Sequence, residues 1–225
     1  MPRRSPTPLP IPTGRDVVLF GGTFDPVHLG HVRLADAARR SVGPRTPLVF
    51  VPAARSPHKD AGPIASPADR VRMLELATAD LEHTGVWTEE IDRAESSDGP
   101  SYWIDTLESA RALLGDDAVI RFVIGVDQLL ALPAWRRWRE ILEIAEPLVL
   151  ARPPLEDADA ILDALHEIDA WAGVEPGAWI DRVVPAPVLP YSATEIRAAL
   201  ARGNADVPGL DPRVLAFIKD RGLYA

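Results

Sequence analysis

Residues 17–31 read V-V-L-F-G-G-T-F-D-P-V-H-L-G-H and contain the clearest indication of the fold. The apolar run at 17–20 predicts a buried strand that ends at two glycines, and a helical pattern follows from about residue 29 to residue 40. A buried strand, a tight glycine turn and a helix form the first unit of an open α/β sheet. Such sheets bind ligands at turns of this kind.

Strand and helix patterns alternate along the rest of the chain. Apolar runs at 48–51, 118–124 and 147–150 predict further buried strands, and residues 86–91 and 180–184 predict two less regular ones. Helical patterns lie between these runs. We therefore expect an α/β fold with a doubly wound parallel sheet in a single domain, followed by a small C-terminal helical part.

Composition excludes several classes of protein. The chain has 225 residues, of which 47% are hydrophobic, enough for one sizeable domain. Asp and Glu outnumber Lys and Arg by 33 to 24, which argues against a nucleic-acid partner. No apolar run approaches the roughly 18 residues of a membrane span, so we expect no membrane partner. Cysteine is absent, which excludes disulfides, thiolate metal sites and cysteine nucleophiles, and a cytoplasmic location is expected.

The first residues of the chain differ in composition from the rest. Residues 1–15 are rich in proline and lack the apolar stretch of a signal peptide. We expect a disordered tail at residues 1–15 and a domain at residues 16–225.

Two histidines mark the start of the first predicted helix. His28 and His31 are three residues apart, so they share one face of the helix. The amides and the dipole of a helix N-terminus favour anions, and two imidazoles beside them would suit a triphosphate. Gly21 and Gly22 allow the backbone to approach a ligand closely. The alternative is that the two histidines cap the helix or fill the core without binding anything.

This first motif resembles the ATP-binding signature of the nucleotidyltransferase superfamily, whose core is H-x-G-H. Aminoacyl-tRNA synthetases of the first class carry a related H-I-G-H, so the motif alone leaves the reaction open. The resemblance implies a Rossmann-like nucleotidyltransferase fold. It also implies ATP contacts at Gly21, Gly22, Thr23, Phe24, His28 and His31.

A second motif, Y-S-A-T-E-I-R at residues 191–197, precedes a predicted helix near the C-terminus. Ser192 and Glu195 fit a capping box, which needs no ligand, and we accept that interpretation for Glu195. Ser192 also stands where a helix N-terminus can bind an anion. The guanidinium of Arg197 has a fork that suits phosphate oxygens.

The second motif resembles the I-S-x-T-x-I-R of nicotinate-nucleotide adenylyltransferases. The S-S-S-x-V-K of pantetheine-phosphate adenylyltransferases and the K-M-S-K-S of tRNA synthetases are both absent. The resemblance implies that Ser192, Thr194 and Arg197 hold the pyrophosphate end of ATP. With it, the catalytic residues would be His28, His31 and Arg197.

Further resemblance to bacterial nicotinate-nucleotide adenylyltransferases runs from about Val17 to the end of the chain. The segment F-V-I-G-V-D at residues 122–127 resembles the family's F-I-I-G-x-D and implies adenosine contacts at Gly125 and Asp127. P-H-K at 57–59 resembles a substrate loop, although it also fits a solvated turn. The implied mononucleotide contacts are His58, Lys59, Arg70, Ser101, Tyr102, Trp103 and Trp135. Trp135 would stack on the pyridine ring, whereas we expect Trp138 to pack in the core.

One residue departs from the family's pattern. Trp103 stands where the family's P-S-Y-T has Thr near the substrate carboxylate. We expect the Trp103 side chain to face away from the substrate and backbone amides to recognise the carboxylate. Nicotinate mononucleotide would then be preferred over nicotinamide mononucleotide.

The resemblance implies transfer of AMP from ATP to nicotinate mononucleotide, which gives deamido-NAD and pyrophosphate, a step of NAD biosynthesis. The second pKa of a phosphate monoester is about 6, so the nucleophile is already anionic and needs no general base. Mg²⁺ would accompany ATP, and no cluster in the sequence suggests a resident metal site. Three alternatives are a nucleotidyltransferase with nicotinamide mononucleotide or another phosphate acceptor, a tRNA-binding enzyme, and a non-catalytic nucleotide-binding regulator. Homo-oligomer formation stays open.

Overall fold

A parallel β-sheet lies at the centre of the structure, a computed structural model that describes residues 5–10, 16–55, 62–95, 99–175, 177–185 and 189–225. The strands are β1 (Asp16–Gly22), β2 (Leu48–Pro52), β3 (Thr84–Val86), β4 (Val119–Gly125), β5 (Glu146–Ala151) and β6 (Val184–Pro185). In the described part of the chain these six strands form one sheet in the order β3-β2-β1-β4-β5-β6, and each neighbouring pair is parallel.

Helices connect the strands and cover both faces of the sheet. They are α1 (Leu29–Val42), α2 (Pro67–Thr78), α3 (Glu89–Ala94), α4 (Trp103–Leu114), α5 (Val126–Leu130), α6 (Trp138–Ile144), α7 (Ala158–His166), α8 (Ala193–Ala201) and α9 (Pro212–Asp220). Short 3₁₀ turns lie at Leu132–Ala134, Asp169–Trp171 and Gly177–Arg182. None of the helices described is long and apolar enough to cross a membrane.

The continuous apolar runs of the sequence are explained by burial on both faces of the sheet. Val17 and Leu19 belong to the core beneath α4, α6 and α7, whereas Val18 between them belongs to the core beneath α1, α2, α8 and α9. All three side chains are fully buried. Alternate residues of a strand point to opposite faces, so a strand covered on both sides is apolar throughout. The predicted doubly wound α/β fold is confirmed.

Both predictions of a less regular strand, at 86–91 and at 180–184, are wrong in part. The strand predicted at 86–91 ends at Val86, and α3 begins at Glu89. Acidic residues in its first turn favour a helix there because they complement the positive end of the helix dipole. The segment predicted as a strand at 180–184 is largely a 3₁₀ turn, and β6 pairs with only two residues of β5.

Residues 5–10 lie against α3, contrary to the expectation of a disordered tail. The Thr7 amide donates to Glu89 Oε2 at 2.7 Å, and its hydroxyl donates to Asp92 Oδ2 at 2.7 Å. The indole N–H of the buried Trp87 donates to the Thr7 carbonyl at 2.8 Å. A buried indole N–H needs an acceptor, and this segment supplies it. Residues 1–4 and 11–15 lie outside the described residues, and the domain boundary at residue 16 stays a prediction.

The topology fixes where a ligand can bind. The chain leaves β1 for β2 on one side, and it leaves β4 for β5 on the other, so the strand order reverses between β1 and β4. Open α/β sheets bind ligands outside the carboxyl ends of the strands at this reversal. Gly22 and Gly125 are the last residues of these two strands.

Candidate functional site

His28 and His31 form a reciprocal cap at the start of α1. The His31 amide donates to His28 Nδ1 at 3.3 Å, and the His28 amide donates to His31 Nδ1 at 3.2 Å. The two rings stack with their centroids 3.6 Å apart. Because both Nδ1 atoms accept hydrogen bonds, a neutral ring carries its proton on Nε2. The pair therefore caps the helix, and this capping leaves the Nε2 side of each ring outside the cap.

The His28 imidazole is neutral at neutral pH. Burial lowers its pKa from 6.5 to about 4. A Cβ at Gly30 would lie 2.9 Å from His28 Nδ1, so glycine is required where the ring folds back over the helix. At His28 the N-terminus of α1 therefore offers a neutral donor and backbone amides, without an added positive charge.

Asp25 joins the first motif to two distant segments. Its carboxylate accepts hydrogen bonds from the amides of Ile64 at 2.8 Å and Ala65 at 3.0 Å, and from the hydroxyl of Tyr224 at 2.6 Å. Burial raises the pKa of the Tyr224 phenol, and the bond to Asp25 raises it further. Asp25 was not among the predicted site residues, although a carboxylate within the largely apolar first motif could have indicated it.

Arg197 connects the two motifs directly. Its guanidinium donates to the carbonyl oxygen of Asp25 at 2.7 Å and lies 3.4 Å from the Thr194 hydroxyl. Arg197 is half-buried and Thr194 is exposed. The second motif thus lies beside the turn that precedes α1.

Ser192 is the N-cap residue of α8. The predicted capping box between Ser192 and Glu195 is wrong. The Ser192 side chain makes no hydrogen bond to the first turn of α8. Tyr191, the residue before it, takes up the space beside the N-terminus of α1: a Cβ at Gly30 would lie 3.8 Å from Tyr191 Cβ. Gly209, whose φ is +92°, leaves room for the Tyr191 ring. The N-termini of α1 and α8 are therefore neighbours, and the Ser192 hydroxyl is not used in capping.

A cavity of about 790 Å³ opens at the carboxyl ends of β1 and β4. The predicted site residues that line it are Gly21, Gly22, Thr23, Ser101, Tyr102, Trp103, Gly125 and Trp135. Phe20 lines it as well, and its ring centroid is 6.2 Å from that of His31, so the cavity and the α1 N-terminus adjoin. A second groove of about 770 Å³, between α2 and α3, contains none of the predicted site residues.

Trp103 faces this cavity, so the expectation that it faces away is wrong. Its indole lies over Gly21, where an added Cβ would be only 2.6 Å from Trp103 Cζ3, and its ring is 6.1 Å from that of Phe122. The absent side chain at Gly21 leaves the space that the indole occupies. The Trp103 indole N–H is buried and has no hydrogen-bond partner among the described residues. Trp103 is therefore a wall of the cavity.

Arg70 supports the site from beneath, a correction to its predicted contact with the mononucleotide. Its side chain is fully buried and does not line the cavity. One guanidinium nitrogen donates to the carbonyl oxygens of Thr23 at 2.8 Å and Ala53 at 2.7 Å, the residues that follow β1 and β2. Burial lowers the pKa of Arg70. Arg70 thus holds the two turns at the site together.

Phe24 is also enclosed, since only 2% of its surface is exposed. Its ring contacts the edge of His31 at 5.2 Å between centroids, and its φ is +51°. A predicted contact between Phe24 and ATP can therefore involve only its backbone. Trp138 is buried against Trp171, which confirms its predicted place in the core.

The end of β4 carries the predicted adenosine contacts. A Cβ at Gly125 would lie 2.9 Å from Asp127 Oδ1, so the glycine leaves room for the carboxylate. Asp127 forms an exposed ion pair with Arg152 at 2.6 Å, a neighbour that the sequence analysis missed. The contact of Gly125 and Asp127 with adenosine stays a prediction.

His58 and Lys59 lie outside the described residues. Over the part of the chain that the structure describes, no group of three or more His, Cys, Asp or Glu side chains could hold a metal ion.

Comparison with known proteins gives a consistent result. The model of the cytidylyltransferase-like family matches residues 19–199. A Pseudomonas putida (strain W619) protein named a probable nicotinate-nucleotide adenylyltransferase is 40% identical over 215 residues, which cover 93% of this chain and 95% of the relative. A Methylococcus capsulatus (strain ATCC 33009 / NCIMB 11132 / Bath) protein of the same name is 37% identical over 213 residues, which cover 92% and 98%.

Solved structures agree on the fold. The Plasmodium falciparum nicotinic acid mononucleotide adenylyltransferase complexed with NaAD superimposes with a TM-score of 0.69 at 16% identity, over 94% of this chain and 98% of that one. The same enzyme complexed with APC gives a TM-score of 0.67, also at 16% identity, over 94% and 98%. At this identity the likeness establishes the fold.

Proposed function

Since the chain belongs to the cytidylyltransferase-like family and, within it, to the nicotinate-nucleotide adenylyltransferases, we propose that it transfers AMP from ATP to nicotinate mononucleotide in the cytoplasm. The products are deamido-NAD and pyrophosphate, and the reaction is a step of NAD biosynthesis. The observation that carries the proposal is the meeting of the N-termini of α1 and α8 beside an aromatic cavity at the reversal of strand order.

The triphosphate of ATP binds where the two helix N-termini meet. His28 and His31 donate from Nε2 to the α- and β-phosphate oxygens, an assignment supported by the hydrogen bonds that occupy both Nδ1 atoms. Arg197, Ser192 and Thr194 hold the pyrophosphate end. The Ser192 hydroxyl makes no capping bond, which leaves it for a phosphate oxygen.

The chemical step is an in-line displacement at phosphorus. A phosphate oxygen of nicotinate mononucleotide forms a bond to the α-phosphorus of ATP. The bond from that phosphorus to the bridging oxygen breaks, and its electron pair leaves with pyrophosphate. The attacking phosphate is already largely anionic at neutral pH, so no side chain has to remove a proton. The protein contributes alignment and donors for charge on the leaving group, where one well-placed donor is worth about a hundredfold in rate.

The pyridine ring occupies the cavity. Trp135, Tyr102 and Trp103 line it and offer aromatic faces for a flat ring. Gly21 and Gly22 let the backbone approach the nucleotides closely, and a side chain at either position would collide with Trp103 or Phe24.

Mg²⁺ enters with ATP as part of the substrate. Among the described residues, no cluster of His, Cys, Asp or Glu side chains could by itself hold a divalent ion. Such an ion would neutralise part of the phosphate charge, and magnesium ions commonly take few protein ligands.

The proposal is tested by supplying the purified full chain with ATP and one acceptor at a time. We expect dinucleotide and pyrophosphate in equal amounts with nicotinate mononucleotide, and at least about tenfold lower kcat/KM with nicotinamide mononucleotide. Turnover with phosphopantetheine, or with CTP in place of ATP, would identify a different nucleotidyltransferase. Nucleotide binding with no pyrophosphate release from any acceptor would identify a regulator.

A further inference from the structure

Arg136 is the one cation among the described residues that line the cavity. It follows Trp135, and its guanidinium carbon lies 4.7 Å from the centroid of the Tyr102 ring. In the part of the chain that the structure describes, Arg136 makes no hydrogen bond and no ion pair. The stack on Tyr102 therefore orients a guanidinium whose donors are all available to a ligand.

The neighbouring arginines are engaged elsewhere. Arg137 pairs with Glu108 at 2.8 Å and also with Glu140. Arg139 stacks over Trp138 at 4.3 Å, donates to the carbonyl of Ala170 at 3.1 Å, and does not line the cavity. Of this basic segment, only Arg136 presents its charge to the cavity.

Glu90, the one acidic side chain among the described residues that line the cavity, does not oppose an anion. Glu90 is buried, and its carboxyl group accepts a hydrogen bond from the Thr106 hydroxyl at 2.9 Å. Burial raises the pKa of Glu90, which favours its neutral form. The charge that a bound ring meets is therefore that of Arg136.

We infer that Arg136 is the specificity-determining residue that selects a pyridine ring with a carboxylate over one with a carboxamide, an inference that rests on the proposed function. A ring bound among Tyr102, Trp103 and Trp135 would share the cavity with Arg136, which also lines it. A guanidinium fork can pair with both oxygens of a carboxylate, and this pairing is charge-assisted. A carboxamide is neutral and offers one oxygen, so the same fork gains less from it.

The test compares kcat/KM for nicotinate mononucleotide and nicotinamide mononucleotide in the wild type, Arg136→Gln and Arg136→Lys. Arg136→Gln should lose about 10- to 100-fold with the nicotinate substrate, the range for a hydrogen bond to a charged group, and less than about threefold with the amide. Arg136→Lys keeps the charge without the fork and should lie between. Arg139→Gln, which alters an arginine in a similar aromatic stack outside the cavity, should leave the ratio unchanged.

Equal losses with both substrates in Arg136→Gln would overturn the inference, because they would place Arg136 at the phosphate or ribose that the substrates share. An unchanged ratio would overturn it as well. If the wild type forms no dinucleotide from either substrate, the proposed function fails, and calorimetric binding of the two mononucleotides without ATP still tests Arg136. A selective loss of nicotinate mononucleotide binding in Arg136→Gln would then support its role.

Discussion

The phenol of Tyr224 donates a 2.6 Å hydrogen bond to the carboxylate of Asp25, 199 positions earlier in the sequence. The carbonyl of the same aspartate accepts a hydrogen bond from Arg197 at 2.7 Å. The C-terminal residues and the second motif are thus both bonded to the turn that leads into α1. The geometry of the turn before α1 therefore depends on the last residues of the chain.

Tyr224→Phe should destabilise the protein because the buried Asp25 carboxylate loses a donor. A hydrogen bond to a charged group contributes about 1.5–3 kcal/mol, so the free energy of unfolding in urea should fall by about that amount. Tyr191→Phe is the control, since its hydroxyl makes no hydrogen bond to any described residue, and it should have little effect. Equal effects of the two substitutions would contradict the assigned role of Tyr224.

Acid should weaken the fold partly through His28. Because burial lowers its pKa to about 4, the folded state disfavours the protonated ring. The unfolded state binds a proton near pH 6.5, so stability from neutral His28 is complete above pH 6.5 and is lost as the pH falls towards 4. Between pH 7 and pH 4 the wild type should lose on the order of 3 kcal/mol more unfolding free energy than His28→Asn, which retains a capping acceptor. Parallel losses in the two proteins would show that His28 is not responsible.

Arg197→Lys should impair turnover although the charge is kept. The guanidinium bonds Asp25 while it leaves other nitrogens for phosphate oxygens, and an ammonium cannot reproduce that geometry. We expect kcat/KM for ATP to fall by about tenfold or more in steady-state kinetics, which is the scale of one charge-assisted hydrogen bond. Arg202→Lys, at the exposed C-terminal end of α8, should be unchanged. Wild-type kinetics in Arg197→Lys would place Arg197 outside the phosphate site.

Deletion of residues 1–10 should lower the melting temperature, because the buried Trp87 indole loses the Thr7 carbonyl as its acceptor. An unsatisfied buried donor costs about 1–3 kcal/mol, which corresponds to roughly 2–12 °C for a chain of this length. Deletion of residues 1–4 alone retains Thr7 and should leave the melting temperature unchanged. Identical melting curves for both deletions would show that residues 5–10 do not stabilise the domain.

Patterns within short segments were sufficient to predict the fold. The apolar run at 17–20, the two glycines and the spacing of His28 and His31 are local features whose geometry follows from one strand and one helix turn. The meeting of the two motifs was anticipated only through resemblance, because periodicity does not show which helix N-termini become neighbours.

Side-chain orientation at the site depended on residues distant in sequence. Trp103, at the start of α4, faces the cavity because Gly21 on β1 leaves space for its indole. Arg70 lies beneath the site because the carbonyls of two separate turns accept its hydrogen bonds. The sequence does not show that the Arg136 guanidinium lines the cavity, because Arg136 is one of three arginines within residues 136–139. Such relationships arise from tertiary contacts, which no local pattern contains.

The central claim is adenylyl transfer to nicotinate mononucleotide, and the most direct test follows radiolabelled phosphorus from ATP. Label at the α-phosphate should appear in a dinucleotide at the rate at which label at the γ-phosphate appears in pyrophosphate. His31→Ala should slow both by at least about a hundredfold while it remains folded. γ-label in the acceptor, or α-label released only as free AMP, would contradict the account, because the first indicates phosphoryl or pyrophosphoryl transfer and the second indicates hydrolysis.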